Sequence, residues 1–140
     1  MKKAVLISAL IGLIAVLAAG CATTAKGPSD EQLISKRIQE CVAAIKAKNF
    51  DAFKGFVSAS FDSGVVGKRD DLLDYLKNAD DAGFLDGIEI DLSGAKTTVT
   101  GDKATVAPVF ANGGFGSLGL GFEGVKEKGV WMISGVEPGF

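Results

Sequence analysis

Histidine is absent from the 140-residue sequence. Its imidazole is the usual general base beside serine and cysteine nucleophiles, and it is also a common metal ligand. The absence therefore excludes Ser-His-Asp triads, Cys-His pairs and histidine metal sites. Carboxylates, lysines, one tyrosine and two cysteines remain for such chemistry, and we expect neither a metal ion nor another cofactor.

The sequence also has no excess of positively charged residues. Lysine and arginine number 15 against 17 aspartates and glutamates, and removal of the residues before Cys21, which include Lys2 and Lys3, changes the net charge from −2 to about −4. Nucleic-acid binding requires clustered basic side chains, so we expect no nucleic-acid partner. The remaining length of about 120 residues is that of one domain.

The N-terminus has the organisation of a secretory signal peptide. Two lysines precede an apolar run over residues 4–19, and small residues follow at its end. The run has 16 residues, fewer than the roughly 20 that a membrane-spanning helix needs. A permanent transmembrane anchor is therefore the weaker interpretation, and we predict a signal peptide over residues 1–20.

The five residues Leu17-Ala18-Ala19-Gly20-Cys21 resemble the lipobox of bacterial lipoproteins. This resemblance implies cleavage between Gly20 and Cys21 and attachment of diacylglycerol to the Cys21 thiol, which would hold the protein on a membrane. Residues 21–28 would then form a lipidated flexible tether, because they are small, polar and unpatterned. An ordinary secreted protein with a cysteine at this position is the alternative.

The residue after the lipobox bears on the localisation. Some bacteria place an aspartate there to retain lipoproteins in the inner membrane, whereas this sequence has Ala22. The resemblance therefore favours an outer-membrane lipoprotein that faces the periplasm.

Cys41 is the one cysteine that remains if Cys21 is lipidated, so no internal disulfide can form. It lies in an apolar pattern of helical spacing. We predict a buried and unreactive thiol.

Residues 29–140 predict three helices followed by antiparallel strands. Ser29 and Gln32 have the spacing of a capping box at the start of the first helix. Asn49 can end this helix and cap the start of a second helix. The predicted segments are helices over 29–48, 50–58 and 68–79 and strands over 88–92, 97–100, 104–107, 116–127 and 130–136. Because Pro108 has no backbone N–H to donate to a β-ladder, we expect its strand to lie at a sheet edge or to have a bulge near this residue. The class is α+β.

This order of elements resembles the nuclear transport factor 2-like (NTF2-like) superfamily, which also contains ketosteroid isomerases and polyketide cyclases. The similar parts are the break at residues 48–53, the opening of the third helix at Gly67-Lys68 and the strand pair over 125–133. The resemblance implies a cone-shaped fold with three N-terminal helices packed on a curved antiparallel sheet of four to five strands. It also implies a pocket at the open end, and dimerisation through the sheet in many members.

The isomerases of this superfamily pair an aspartate base with a tyrosine on the first helix. The base would follow the segment that matches Val65-Val66, but here Gly67-Lys68 comes at once, and the only tyrosine, Tyr75, is on the third helix. Asp62 and Asp86 have apolar neighbours in sequence and are the candidate bases. A cap or turn role is the favoured interpretation for both.

Glu89 and Asp91 lie on one face of a predicted strand at i, i+2, where they could hold a cation. A solvated strand face explains them better, because alternation with apolar residues is the ordinary pattern of a half-buried strand.

The predicted strand over 116–127 alternates apolar residues with nearly bare positions. Ser117, Gly119 and Gly121 form the bare face, and glycine in a strand costs about 0.5 to 1 kcal/mol relative to alanine. The bare face can allow the sheet to bend or another backbone to approach. The other interpretation is an interface, either in a homodimer or with another envelope protein.

These patterns favour a membrane-anchored bacterial envelope lipoprotein whose domain is non-catalytic and binds either a ligand or another protein. A pocket lined by Ile, Leu and Phe would suit a small apolar ligand. The alternative is a carboxylate-dependent isomerase or dehydratase that acts on a small apolar substrate.

Substitution of Cys21 by serine tests the lipobox. Cys21→Ser removes the thiol that would carry the lipid, so we expect an unprocessed precursor or a soluble protein instead of a membrane-bound one. Membrane fractionation and the mass of the product measure this. Correctly processed, membrane-bound Cys21→Ser protein would contradict the lipobox.

Overall fold

The computed structural model describes residues 27–139. The predicted signal peptide, the Gly20-Cys21 junction and most of the tether therefore lie outside the described residues. The described residues form three helices, a short hairpin and a five-stranded sheet. The elements are α1 Asp30–Lys46, α2 Phe50–Phe56, β1 Asp62–Ser63, β2 Gly67–Lys68, α3 Arg69–Asp81, β3 Glu89–Asp91, β4 Lys96–Thr100, β5 Lys103–Gly113, β6 Gly116–Glu127 and β7 Val130–Pro138. The prediction of three helices on an antiparallel sheet of four to five strands is confirmed.

Strand β5 is the centre of the main sheet. It pairs with β6 on one side, while β3 and β4 pair with different parts of its other side, and every pairing is antiparallel. The β5–β6 register shifts between Val106 and Val109, and the β6–β7 register shifts between Glu123 and Gly124. Such irregularities bend a strand and increase its twist. The bulge expected near Pro108 is confirmed, and it lies in a strand that is paired on both sides.

The core forms where the buried stripe of α1 packs against the sheet. The predicted capping box is present, with Ser29 N donating to Gln32 Oε1 at 2.9 Å and Gln32 N donating to Ser29 Oγ at 3.3 Å. The core joins residues from α1 and from the sheet, and its buried members include Ile34, Ile38, Cys41, Ile45, Val109, Phe122, Trp131 and Ile133.

The start of α1 is attached to the β6–β7 hairpin by polar contacts. Asp30 Oδ1 accepts hydrogen bonds from Lys126 Nζ at 2.8 Å and from Trp131 Nε1 at 3.0 Å. These hydrogen bonds hold the pKa of Asp30 below its ordinary value, and the bond from Lys126 contributes most. Arg37 Nε adds a hydrogen bond to the Trp131 carbonyl oxygen at 2.9 Å. The N-terminal end of α1 is thus fixed to the sheet.

Helix α2 ends earlier than the sequence predicts. It stops at Phe56 because Val57 is extended and forms a β-bridge with Ile133, and Ser58 N donates to the Ile133 carbonyl oxygen at 2.8 Å. Ser58 is fully buried and its hydroxyl donates to Glu127 Oε1 at 2.5 Å. A contact with the last strand therefore overrides the local helical pattern.

Gly124 is a point of close approach between the sheet and α1. A Cβ atom built on Gly124 would lie 2.7 Å from Ile34 Cδ1, and Ile34 is fully buried. Because the core around Ile34 is packed, that atom has little room to move. The absence of a side chain at residue 124 therefore sets how close the helix and the sheet can come.

We expect Gly124→Ala to destabilise the fold by about 1–3 kcal/mol, because overpacking a filled core forces side chains from their rotamers. Urea unfolding followed by Trp131 fluorescence measures the free energy of unfolding. Ile34→Val removes the Cδ1 atom, so the double variant should lose less stability than the sum of the single variants.

Gly55→Ala is the matched control, because a Cβ atom there has nothing within 4 Å and the residue is inside α2. It should stabilise the protein by up to about 1 kcal/mol. Equal effects of the two glycine substitutions would contradict the close approach at Gly124.

Candidate functional site

An open apolar cavity lies between α3, the turn after it and the first half of β6. It has a large lobe of about 420 Å³ and a small lobe of about 220 Å³. Six residues line both lobes, so we treat the lobes as one site and call it the cone pocket. These shared residues are Ile45, Tyr75, Leu76, Leu118, Leu120 and Phe122.

The sequence periods of α3 and β6 build the walls. Helical spacing places Leu72, Tyr75, Leu76 and Ala79 on one face of α3, and the period of two places Leu118, Leu120 and Phe122 on one face of β6. Three lining positions of the large lobe have short side chains, namely Ala79 on α3, Ala111 on β5 and Ser117 on β6. These short side chains leave the space open.

Exposed apolar side chains border the mouth of the pocket. Within residues 27–139, six large hydrophobic side chains are exposed, and five of them line one or both lobes with exposures of 43% to 62%. The five are Val65, Tyr75, Phe84, Phe115 and Leu118; Val130 is elsewhere. A contiguous exposed apolar patch of this kind commonly marks an interaction or ligand site.

Charged groups do not line the pocket. Of the described residues that line either lobe, none is charged, and the polar ones are Ser63, Tyr75 and Ser117. Ser63 Oγ already donates to the Val136 carbonyl oxygen at 2.6 Å. The lining therefore favours an apolar occupant over a polar one.

Solved structures with a similar fold include two proteins of unknown function. A protein of unknown function with a cystatin-like fold from Nostoc punctiforme has a TM-score of 0.65 at 13% identity, covering 78% of this chain and 89% of that chain. An NTF2-like protein of unknown function from Cytophaga hutchinsonii has a TM-score of 0.54 at 14% identity. The match covers 76% of this chain and 88% of that chain. The fold is NTF2-like.

A candidate ketosteroid isomerase from Shewanella frigidimarina is also similar to this NTF2-like domain, with a TM-score of 0.61, 20% identity and coverage of 74% of this chain and 92% of that chain. Identities this low establish the fold alone. No protein-family model and no curated protein matches the sequence.

The two candidate bases lie outside the lining of the NTF2-like pocket. Asp62 is exposed on β1, 3.8 Å from Lys68 Nζ, and Asp86 is exposed after α3, 2.6 Å from Lys48 Nζ. Both side chains have the surroundings of surface ion pairs. A catalytic role for either stays a prediction.

Glu89 and Asp91 are both exposed on β3. Asp91 Oδ1 accepts a hydrogen bond from Ser93 N at 2.8 Å, and hydrogen bonding with Ser93 holds the pKa of Asp91 below its ordinary value. Across the described part of the chain, no three histidine, cysteine or carboxylate groups come together as a metal site would require.

The bare face of β6 is partly covered within the chain. Ser117 is exposed, Gly119 is half-buried opposite Phe110, and Gly121 is buried opposite Glu137. Leu118, Leu120 and Phe122 line the pocket as the alternation predicts, and Ser117, near the start of β6, also lines the large lobe. The interface proposed for the bare face stays a prediction.

The sequence did not indicate Phe84 and Phe115 as site residues. Each lies in a turn beside glycine, after Gly83 and before Gly116, and neither belongs to a periodic apolar pattern. Large apolar side chains in glycine-containing turns were the available signal. Both side chains line the large lobe only because the tertiary structure brings the two turns together.

Cys41 is buried on α1 at 2% exposure, as predicted. Burial raises the pKa of its thiol to about 12. Since the thiolate is the reactive form, this thiol should be inert in the folded protein at ordinary pH.

In a Cys21→Ser background, Cys41 should react with a disulfide reagent at pH 8.5 at least about 100-fold more slowly than a free cysteine, because burial suppresses both the thiolate and access to it. Absorbance of the released thiol measures the rate. In urea sufficient to unfold the protein, the rate should reach that of a free cysteine. A fast reaction without urea would contradict the burial of Cys41.

Proposed function

We propose that this protein is a membrane-anchored lipoprotein of the bacterial cell envelope, and that its NTF2-like domain binds an apolar ligand in the cone pocket. The observation that carries the proposal is the pocket itself, an open cavity whose lining is apolar and uncharged. Binding is the function that this lining supports best, because apolar walls with few polar groups are typical of small-ligand sites.

The anchor rests on sequence. The lipobox-like residues 17–21 support lipidation at Cys21, and Ala22 supports delivery to the outer membrane facing the periplasm. Between residues 27 and 139, no helix is long and apolar enough to cross a membrane.

The position of the pocket suits a tethered binding protein. Helix α1 has 17 residues, which corresponds to a length of about 25 Å. Its first turn continues into the tether, whereas Ile45, near its last turn, lines both lobes. The pocket is therefore separated from the tether by the length of α1.

An isomerase or dehydratase would need a base that faces the substrate. Asp62 and Asp86 do not line either lobe. Binding requires only the apolar walls that the pocket has, and for that reason we propose it in preference to the enzymatic alternative.

Filling the large lobe tests the proposed binding. We expect the neutral fluorescent probe N-phenyl-1-naphthylamine to bind the full chain in the Cys21→Ser background, with increased emission. Ala79 lines the large lobe, so Ala79→Phe should weaken binding by about tenfold or more, since the new ring replaces the probe's apolar contacts.

Ala43→Phe is the matched control, because Ala43 is exposed on α1 and lines neither lobe. It should leave the affinity unchanged, and thermal unfolding should be cooperative for both variants. Equal loss of binding in both, or no saturable binding to the parent chain, would refute the proposed pocket.

A further inference from the structure

We propose that the ligand of the cone pocket is a cationic amphiphile, an apolar chain or ring system that carries an amine or quaternary ammonium head group. This inference rests on the proposed function and adds the class of ligand. The apolar part would fill the lobes, and the head group would stay at the mouth. Two independent features support this choice: the net charge of a segment that supplies part of the lining, and the aromatic side chains at the mouth.

The first feature is a concentration of negative charge in the segment that builds one side of the pocket. Residues 62–91 contain nine acidic and three basic side chains, whereas the rest of the sequence contains eight acidic and twelve basic ones. The same segment supplies lining residues from β1 through β3, including Ser63, Tyr75 and Ile88. We call residues 62–91 the acidic wall.

Ion pairs neutralise only part of the acidic wall. Two lysines from outside it reach carboxylates within it, Lys48 to Asp86 at 2.6 Å and Lys54 to Asp70 at 3.6 Å. Counting both lysines, the wall keeps a net charge of −4. A cleft bordered by one sign of charge raises the local concentration of oppositely charged ligands.

The second feature is aromatic. Tyr75, Phe84 and Phe115 are exposed and line the large lobe. Aromatic faces attract ammonium groups through their quadrupole, and they do so without a buried counter-charge. The three rings come from α3 and from two separate turns, and all three border the same lobe.

An anionic head group would be disfavoured at the same place. The acidic wall would repel it, and among the described residues no lysine or arginine lines either lobe to neutralise it. The apolar lobes accept the hydrocarbon part of either ligand. The charge of the head group therefore decides between them.

Three probes with the same ten-carbon chain test the inference: decyltrimethylammonium, decyl sulfonate and the uncharged decyl maltoside, each below its micellar concentration. In titration calorimetry with the full chain in the Cys21→Ser background, the cationic probe should bind about tenfold or more tighter than the anionic one at about 0.01 M salt. At about 1 M salt, where the Debye length falls to roughly 3 Å, most of the difference due to charge should vanish.

Charge variants distinguish the effect of the acidic wall's charge from the effect of the protein's net charge. Asp74, Asp81 and Glu89 are exposed residues of the acidic wall. The triple variant Asp74→Asn, Asp81→Asn, Glu89→Gln should reduce the preference for the cationic probe several-fold. It should leave decyl maltoside binding unchanged. The matched control neutralises three exposed carboxylates elsewhere, Glu31, Asp51 and Asp102, and should leave the preference largely intact.

Tyr75→Leu tests the aromatic contribution, because it keeps an apolar side chain at the mouth but removes the ring face. It should weaken decyltrimethylammonium binding more than decyl maltoside binding.

The outcomes distinguish the two proposals. If decyl maltoside binds and Ala79→Phe abolishes its binding, while the cationic and anionic probes bind equally at low salt, the ligand class is wrong and the binding function stands. If none of the three probes binds, the proposed function fails and the ligand class fails with it. Tighter binding of the anionic probe would overturn the inference directly.

Discussion

The fold depends on the packing of α1 into the concave side of the sheet. Ile34 and Ile38 are almost completely buried there, and the missing side chain of Gly124 lets β6 come close to Ile34. The two register shifts in β5–β6 and β6–β7 bend the strands around the helix. This close approach brings the helix and the curved sheet together in one core.

The cone pocket is a consequence of where this packing ends. Toward its last turn α1 reaches Ile45, which is buried but also borders the cavity. Beyond it, α3 lines the cavity with Leu76 and with the short side chain of Ala79. The sheet is still curved there, so the space between α3 and β6 stays open. Exposed apolar side chains then collect at its mouth.

Charged side chains are unevenly distributed along the chain, and the acidic ones are concentrated in residues 62–91. At the start of α1, the carboxylate of Asp30 is satisfied by Lys126 and Trp131. At the pocket end, the acidic wall keeps an excess of carboxylates over the lysines that reach it. Exposed surface charges of this kind contribute little to stability, so their unequal distribution bears on which ligands approach rather than on the fold.

The sequence by itself determined the features that depend on neighbouring residues. The Ser29–Gln32 cap, the buried face of α1 with Cys41, the bulge near Pro108 and the alternation of β6 follow from local hydrogen bonding and period. Only the tertiary structure decided that α2 stops at Phe56 and that Tyr75, Phe84 and Phe115 meet at one mouth. These outcomes depend on register shifts and on contacts between distant segments, which local periodicity does not encode.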